Sequence, residues 1–229
     1  MNTKHKKPTL TKKQRHRLRV QQVRRQKIFL TCLFLLIVVC ILLCFPRFSG
    51  RQEETPQINA ACEAYRDEVS SEAAQYDMSD YVDLLLAVMM QESSGQGTDP
   101  MQSSEGAYNA RYPQQPNGIT DPSYSISCGI QELKYALDKA GCTGPTDLSK
   151  IRLALQAYNF GADSYFAYLE ENGQTVWTAQ SAQAFAQMAS GNTQRDEDDP
   201  LHDPAGPWDY GDQYYPDHVL RYYHLDNNS

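Results

Sequence analysis

Ile28 to Phe45 is an eighteen-residue run of Leu, Ile, Val, Phe, Cys and Thr without one charged side chain. As a helix it reaches about 27 Å, close to the hydrocarbon thickness of a bilayer. A helix also satisfies its own backbone hydrogen bonds, which lipid cannot do. A buried core helix is the alternative, but few core helices lack polar residues on every face. The run therefore predicts a single transmembrane helix over 28–45.

Charge is divided sharply across that run. Residues 1–27 carry eleven of the 21 Lys and Arg and no acid, whereas residues 46–229 hold the other ten and all 28 Asp and Glu, a net of −18. Basic residues before a span mark the cytoplasmic side. The expectation is a basic cytoplasmic tail over 1–27, a single-pass cell-membrane anchor, and an acidic extracellular part. A cleaved signal peptide is the rival reading. Against it, the basic region is long, Pro46-Arg47-Phe48-Ser49-Gly50 contains no Ala-x-Ala site, and Leu43 replaces the small residue expected before a lipidated Cys44. Beside a span, the basic tail serves topology and anionic lipid rather than nucleic acid.

Cys62, Cys128 and Cys142 lie beyond the span, an odd number, so at most one disulfide can join two of them. Cys128 with Cys142 is the expected pair. No Cys-x-x-Cys or Cys/His spacing suggests a metal site, and no cofactor is expected.

Phe48 to Gln57, with Gly50 and Pro56, suits a linker within 46–57. From residue 58 helical periodicity takes over. Ile58, Ala61, Cys62, Tyr65, Val69 and Tyr76 form one stripe. A second helix is expected from a Ser79 N-cap through Leu85, Val88, Met89 and Glu92 to Gly95. Asp99 to Pro122 reads as loop. Helices are expected over 123–140, 147–159, 162–171 and 175–189, with a polar acidic segment over 192–215 and a short final helix over 217–223. No alternating strands and no second span are found. The predicted fold class is all-α.

Glu92 has a physical claim to chemistry. It falls in the last turn of an apolar helix face, in Val88-Met89-Met90-Gln91-Glu92-Ser93-Ser94-Gly95. A helix C-terminus and apolar neighbours both favour the protonated carboxyl. Such an acid is what glycoside cleavage needs to protonate a leaving oxygen. Position alone leaves open a surface Glu that merely ends a helix.

The neighbouring words narrow it. Gln91-Glu92-Ser93, Asp99–Glu105 with its Met101-Gln102, and Ala157-Tyr158-Asn159-Phe160-Gly161 follow in that order. Ile119–Pro122, Ser125–Gln131, Tyr210-Gly211-Asp212 and His218–Tyr223 add to them. The pattern resembles the lysozyme-like superfamily of goose-type lysozymes and soluble lytic transglycosylases. More narrowly it looks like the N-terminal muramidase domain of the bifunctional cell-wall hydrolases of Gram-positive conjugative transposons. Each word is weak alone; in order they are specific. The resemblance covers 58–225 and implies a lysozyme-like helical domain behind a single N-terminal transmembrane helix.

By that resemblance Glu92 is the general acid, and Ser93, Gln102, Ser103, Tyr158 and Asn159 contact or shape the substrate site. The implied substrate is peptidoglycan, cut at the β-1,4 bond between N-acetylmuramic acid and N-acetylglucosamine, for local wall opening during conjugative transfer, with conjugation or secretion machinery as partner. A second carboxylate decides the product. Asp99, Glu105 and Asp121 are the loop candidates for it. If none holds a water, the expected activity is that of a lytic transglycosylase with anhydro-muramic products. A non-catalytic wall-binding component of a conjugation apparatus is the rival class, though binding alone needs no acid.

Two departures from the pattern stand out. The two-domain relatives continue into a cysteine peptidase, which this sequence lacks up to Ser229, so peptide cleavage is expected from a partner. Asn192–Trp208 is longer than the usual connection and is expected to be a solvated insertion without the glycine and spacing of a calcium loop.

Overall fold

The computed structural model describes residues 56–199 and 202–224. The predicted tail, the span over 28–45 and the linker up to residue 55 lie outside the described residues. Among the described residues no helix is long and apolar enough to cross a membrane.

Among the described residues eight α-helices form: α1 (Ala60–Glu63), α2 (Arg66–Gln75), α3 (Val82–Glu92), α4 (Pro122–Ala140), α5 (Leu148–Phe160), α6 (Ala162–Glu171), α7 (Ala179–Ala189) and α8 (Tyr215–Leu220). No strand forms among the described residues; one isolated antiparallel bridge joins Gln194 to Trp208. The all-α expectation holds.

Local chemistry explains most boundaries. Asp121 accepts from the Tyr124 amide at the start of α4, Pro122 occupies the first turn, and Gly141 ends the helix in the left-handed region. Asp147 caps α5 through the Lys150 amide. Thr178 and Ser181 form a reciprocal capping box that starts α7 at Ala179, later than the pattern from residue 175 predicts.

The first two expected helices need correction. The stripe from Ile58 to Tyr76 is split into α1 and α2. Asn59 sets the start of α1 by accepting from the Cys62 amide at 2.8 Å, and its side chain also donates to the Ser94 carbonyl at 3.0 Å. Ser79 is not an N-cap but opens a 3₁₀ turn, Ser79–Tyr81. Met78, only 2% exposed, is drawn into the core there, and α3 begins after it.

α3 is the buried axis. Leu84, Leu85, Leu86, Ala87, Val88 and Met89 are all at 0% exposure, so the helix is enclosed on every face rather than on one. Each such leucine is worth about 1.5–3 kcal/mol of burial. α2 and α8 pack on α3, while α5 is flanked by α4, α6 and α8. Met101, from the loop before α4, beds against Gly129 in the middle of that helix. A Cβ at Gly129 would stand 2.7 Å from the Met101 Cβ, so glycine is the residue that lets loop and helix meet.

Cys62, Cys128 and Cys142 are all free, which corrects the expected pairing. The Cys128 thiol donates to the Tyr108 carbonyl at 3.4 Å, while the Cys142 thiol donates to the Gly144 carbonyl at 3.3 Å beside the Tyr81 hydroxyl. The two sulfurs are committed to different ends of α4.

Candidate active site

The helix that carries Glu92 is held at its end from three sides. The Ser93 hydroxyl donates to the Pro100 carbonyl at 2.8 Å and accepts from the Gly95 amide at 3.1 Å. Asn59 holds Ser94, whose φ of 55° lies in the left-handed region. Non-glycine residues held there mark positions that the surroundings over-determine. The result is a carboxyl with little freedom to move.

Burial is the main reason that the Glu92 carboxyl is pushed up to about 7. The Tyr215 hydroxyl donates to its Oε1 and pulls the other way, while Asp212, Asp99 and Glu132 add negative charge nearby. Its Oε2 has no hydrogen-bond partner among the described residues. Tyr215 opens α8 and stacks on Tyr158 of α5, ring centroids 6.3 Å apart. Both phenols are driven well above their ordinary range by burial and by the Glu92 charge, so Tyr215 stays a donor.

Tyr158 and Asn159 come together at the end of α5. Tyr158 donates to the Met101 carbonyl at 2.9 Å, pinning the first long loop to the site. Asn159 Oδ1 accepts from the Asp212 amide at 2.7 Å, pinning the second. Gly211, at φ 48°, lets that second loop pass; a Cβ there would stand 2.6 Å from Asn159 Oδ1.

Two hollows meet at this point, and both are lined by Glu92 and Asn159. One continues past Gln102, Glu105, Glu132, Tyr135 and Tyr210. The other runs past Arg195, His202, Asp212, Tyr215 and His218. A carboxyl with an extended hollow on either side suits a polymer bound across it, with units on both sides of the bond to be cut. Described so far is a buried acid at the end of an apolar helix, a Met-Gln loop in front of it and a Tyr-Asn pair beneath.

The family model described as lysozyme-like matches residues 60–223. The chain belongs to the lysozyme-like family. It is 36% identical over 169 residues to the bifunctional muramidase/DL-endopeptidase CwlT of Bacillus subtilis (strain 168), covering 74% of this chain and 44% of that relative. It is 39% identical over 111 residues to the uncharacterized membrane protein YocA of the same organism, across 48% of this chain and 45% of that one. Pneumococcal vaccine antigen A of Streptococcus pneumoniae serotype 4 is 37% identical over 94 residues, 40% of each chain. The chain thus spans less than half the length of these curated relatives. Among solved structures, a protein similar to a lipoprotein of the NLP/P60 family from Staphylococcus aureus superposes with a TM-score of 0.63 at 26% identity. That match covers 76% of this chain and 56% of the other.

Within this lysozyme-like site the predicted residues divide. Glu92, Gln102, Tyr158, Asn159 and Glu105 line the hollows. Gln102, at φ 48°, donates to the Asp99 carbonyl and to Asn117 Oδ1, each at 3.0 Å. Ser93 and Ser103 do not line them; the Ser103 hydroxyl is buried and donates to the Ser125 carbonyl at 2.9 Å. Asp121 is the α4 cap. Asp99 is 2% exposed and accepts from the amides of Ser103 and Ser104 and the hydroxyls of Ser104 and Ser125. These two carboxylates are spent on holding backbone.

Four residues at the site were not among those predicted. Tyr215 and the Asp212–His218 pair lie in or between the words Tyr210–Asp212 and His218–Tyr223, so a signal existed. Glu132 had none. The segment 192–208 is a solvated insertion only in part: Asn192 to Gln194 and Asp196 to Asp198 are exposed, but other residues of it reach the site. The Arg195 side chain is 9% exposed, donates to the Gly211 carbonyl at 2.9 Å and lies 3.4 Å from Asp209, and His202 and Asp203 line the hollow beside Glu92.

Proposed function

We propose that this chain is a peptidoglycan N-acetylmuramidase, cutting the β-1,4 bond between N-acetylmuramic acid and N-acetylglucosamine. The observation that carries the reading is Glu92: a carboxyl that burial keeps protonated up to about pH 7, placed where two hollows meet, with one oxygen fixed by Tyr215 and the other free. The free oxygen delivers its proton to the glycosidic oxygen as the sugar ring gains oxocarbenium character. Gln102 and Asn159 offer amide groups to the acetamido and hydroxyl groups of the glycan, and Tyr158 holds the floor. The name of the CwlT relative includes muramidase, which supports the same bond.

The uncharged run 28–45 and the charge division around it support a single-pass anchor with the domain outside, facing the wall. The resemblance of the motif words to the hydrolases of conjugative transposons supports a role in local wall opening during conjugation. One observation favours a second reading, lytic transglycosylation: Asp99 and Asp121 are engaged with backbone amides and line neither hollow.

Glu92→Gln preserves size and helix context but removes the proton. Turnover of purified peptidoglycan is expected to fall about 10²–10⁴-fold while wall binding persists. Mass spectrometry of the wild-type products separates reducing-end muramic acid from its anhydro form. Undiminished cleavage by Glu92→Gln would sink the assignment and return the chain to the wall-binding class.

A further inference from the structure

The carboxyls around Glu92 can be sorted by what already occupies their oxygens. Asp212 receives His218 Nδ1 on one oxygen and the Tyr214 amide at 2.8 Å on the other. Asp99 is saturated. Glu105 is exposed, with no hydrogen bond to hold it among the described residues. Glu132 differs from all three. It projects from the middle of α4 into the hollow that Glu92, Gln102 and Tyr158 line, and is partly buried there. One oxygen accepts from the Ala107 amide at 2.9 Å; the other has no partner. No cation pairs with it among the described ion pairs.

An oriented, half-occupied carboxyl without a counter-charge is costly to the fold, and such groups concentrate at reacting centres. Burial, with Asp99 adding to it, pushes Glu132 to about 7, against the pull of the Ala107 amide. Glu92 and Glu132 therefore share one range, and near neutrality the groove can hold one proton between two carboxyls.

We propose that Glu132 is the second carboxylate of the reaction: in the hollow it shares with Glu92, its unbonded oxygen takes a proton from the water that attacks the anomeric carbon. This rests on the muramidase reading. As the bond from the anomeric carbon to the bridging oxygen breaks, its electron pair leaves with that oxygen, which receives the Glu92 proton. The water oxygen bonds to the anomeric carbon, and the proton it sheds goes to Glu132. Exchange of both carboxyls with solvent then restores the starting state. The product is a free reducing end of inverted configuration.

The test uses the full chain, as wild type, Glu132→Gln and Glu171→Gln, on purified peptidoglycan with and without sodium azide. Glu171 is exposed at the end of α6, outside both hollows, so wild type and Glu171→Gln are expected to release reducing-end products at similar rates. Glu132→Gln should lose about 10²–10⁴-fold in turnover while retaining glycan binding. Azide, a nucleophile that needs no base, should then restore turnover and yield a muramyl azide of inverted configuration. Should Glu132→Gln melt, Glu132→Asp keeps the charge one methylene short and must show the same gain with azide. Near wild-type cleavage by Glu132→Gln overturns the inference alone, as does a loss that azide leaves unrelieved. Anhydro products from wild type also overturn it, whereas a wild type that cuts nothing brings down the muramidase reading first.

Discussion

The two long loops that close over Glu92 are equally irregular and are fixed by opposite means. The loop before α4 is organised around a buried anion, Asp99, which gathers four donors and offers none. The loop before α8 is organised around a neutral amide, Gln213, only 1% exposed. Its Nε2 donates to the carbonyls of Trp208 and Tyr210 at 3.0 Å each, and its Oε1 accepts from the Trp208 amide at 3.2 Å. An anion can satisfy only N–H and O–H groups; an amide satisfies both signs. The difference follows from what each loop leaves over. The first turns amides inward at Ser103 and Ser104, the second turns carbonyls inward at Trp208 and Tyr210. Irregular backbone is ordered where one side chain completes its hydrogen bonding.

The strongest way to break that comparison is Asp99→Ala. It strands two buried amides and two hydroxyls, so unfolding in urea should show a loss of about 3 kcal/mol or more. Turnover should fall too, because the loop that the Asp99 carboxylate orders carries Gln102 into the hollow. A near-neutral result would mean that the first loop is held by Met101 packing instead. Gln213→Ala should cost less, about 2 kcal/mol by the same measurement, since its bonds carry no charge. If it costs more than Asp99→Ala, the distinction between anion and amide has no energetic content.

The smallest effect sharpens how the second loop reaches the acid. Tyr215 favours the ionised form of Glu92 by donating to it, so Tyr215→Phe should raise the Glu92 carboxyl further above 7. Activity needs the proton and is lost as pH rises through the Glu92 value. Its alkaline limb should therefore move to higher pH in the variant, with a stability change of about 1 kcal/mol or less. A limb that stays in place would show that another group sets it.

Local chemistry was legible in the sequence because it acts over a few residues. Gly141 ends α4 and Asp147 starts α5, as turn and cap preferences dictate, whereas Asp121, expected as a candidate second carboxylate, is the cap of α4. The split of the first stripe was not legible, since Asn59 is committed to Ser94, 35 residues away. Among site residues, Glu92, Gln102, Tyr158 and Asn159 stood out through their words and not through periodicity. Tyr215 meets Glu92 across 123 residues, a distance over which no local pattern speaks. Glu132 stands beside Leu133 in an amphipathic helix, where a glutamate reads as solvent-facing; only the fold of the 103–108 loop over it gives it a different environment.

The three unpaired cysteines carry a consequence for how such a domain can be made. Cys62 is buried against Met90, and burial lifts its thiol to about 11. Cys128 is buried as well. None of the described structure waits on an oxidant, a thiol-exchange catalyst or a particular redox poise. The same native state is available in a reducing compartment or an oxidising one, and reductants leave it intact. Covalent locking between the described cysteines therefore has no part in holding this domain together, on either side of a membrane.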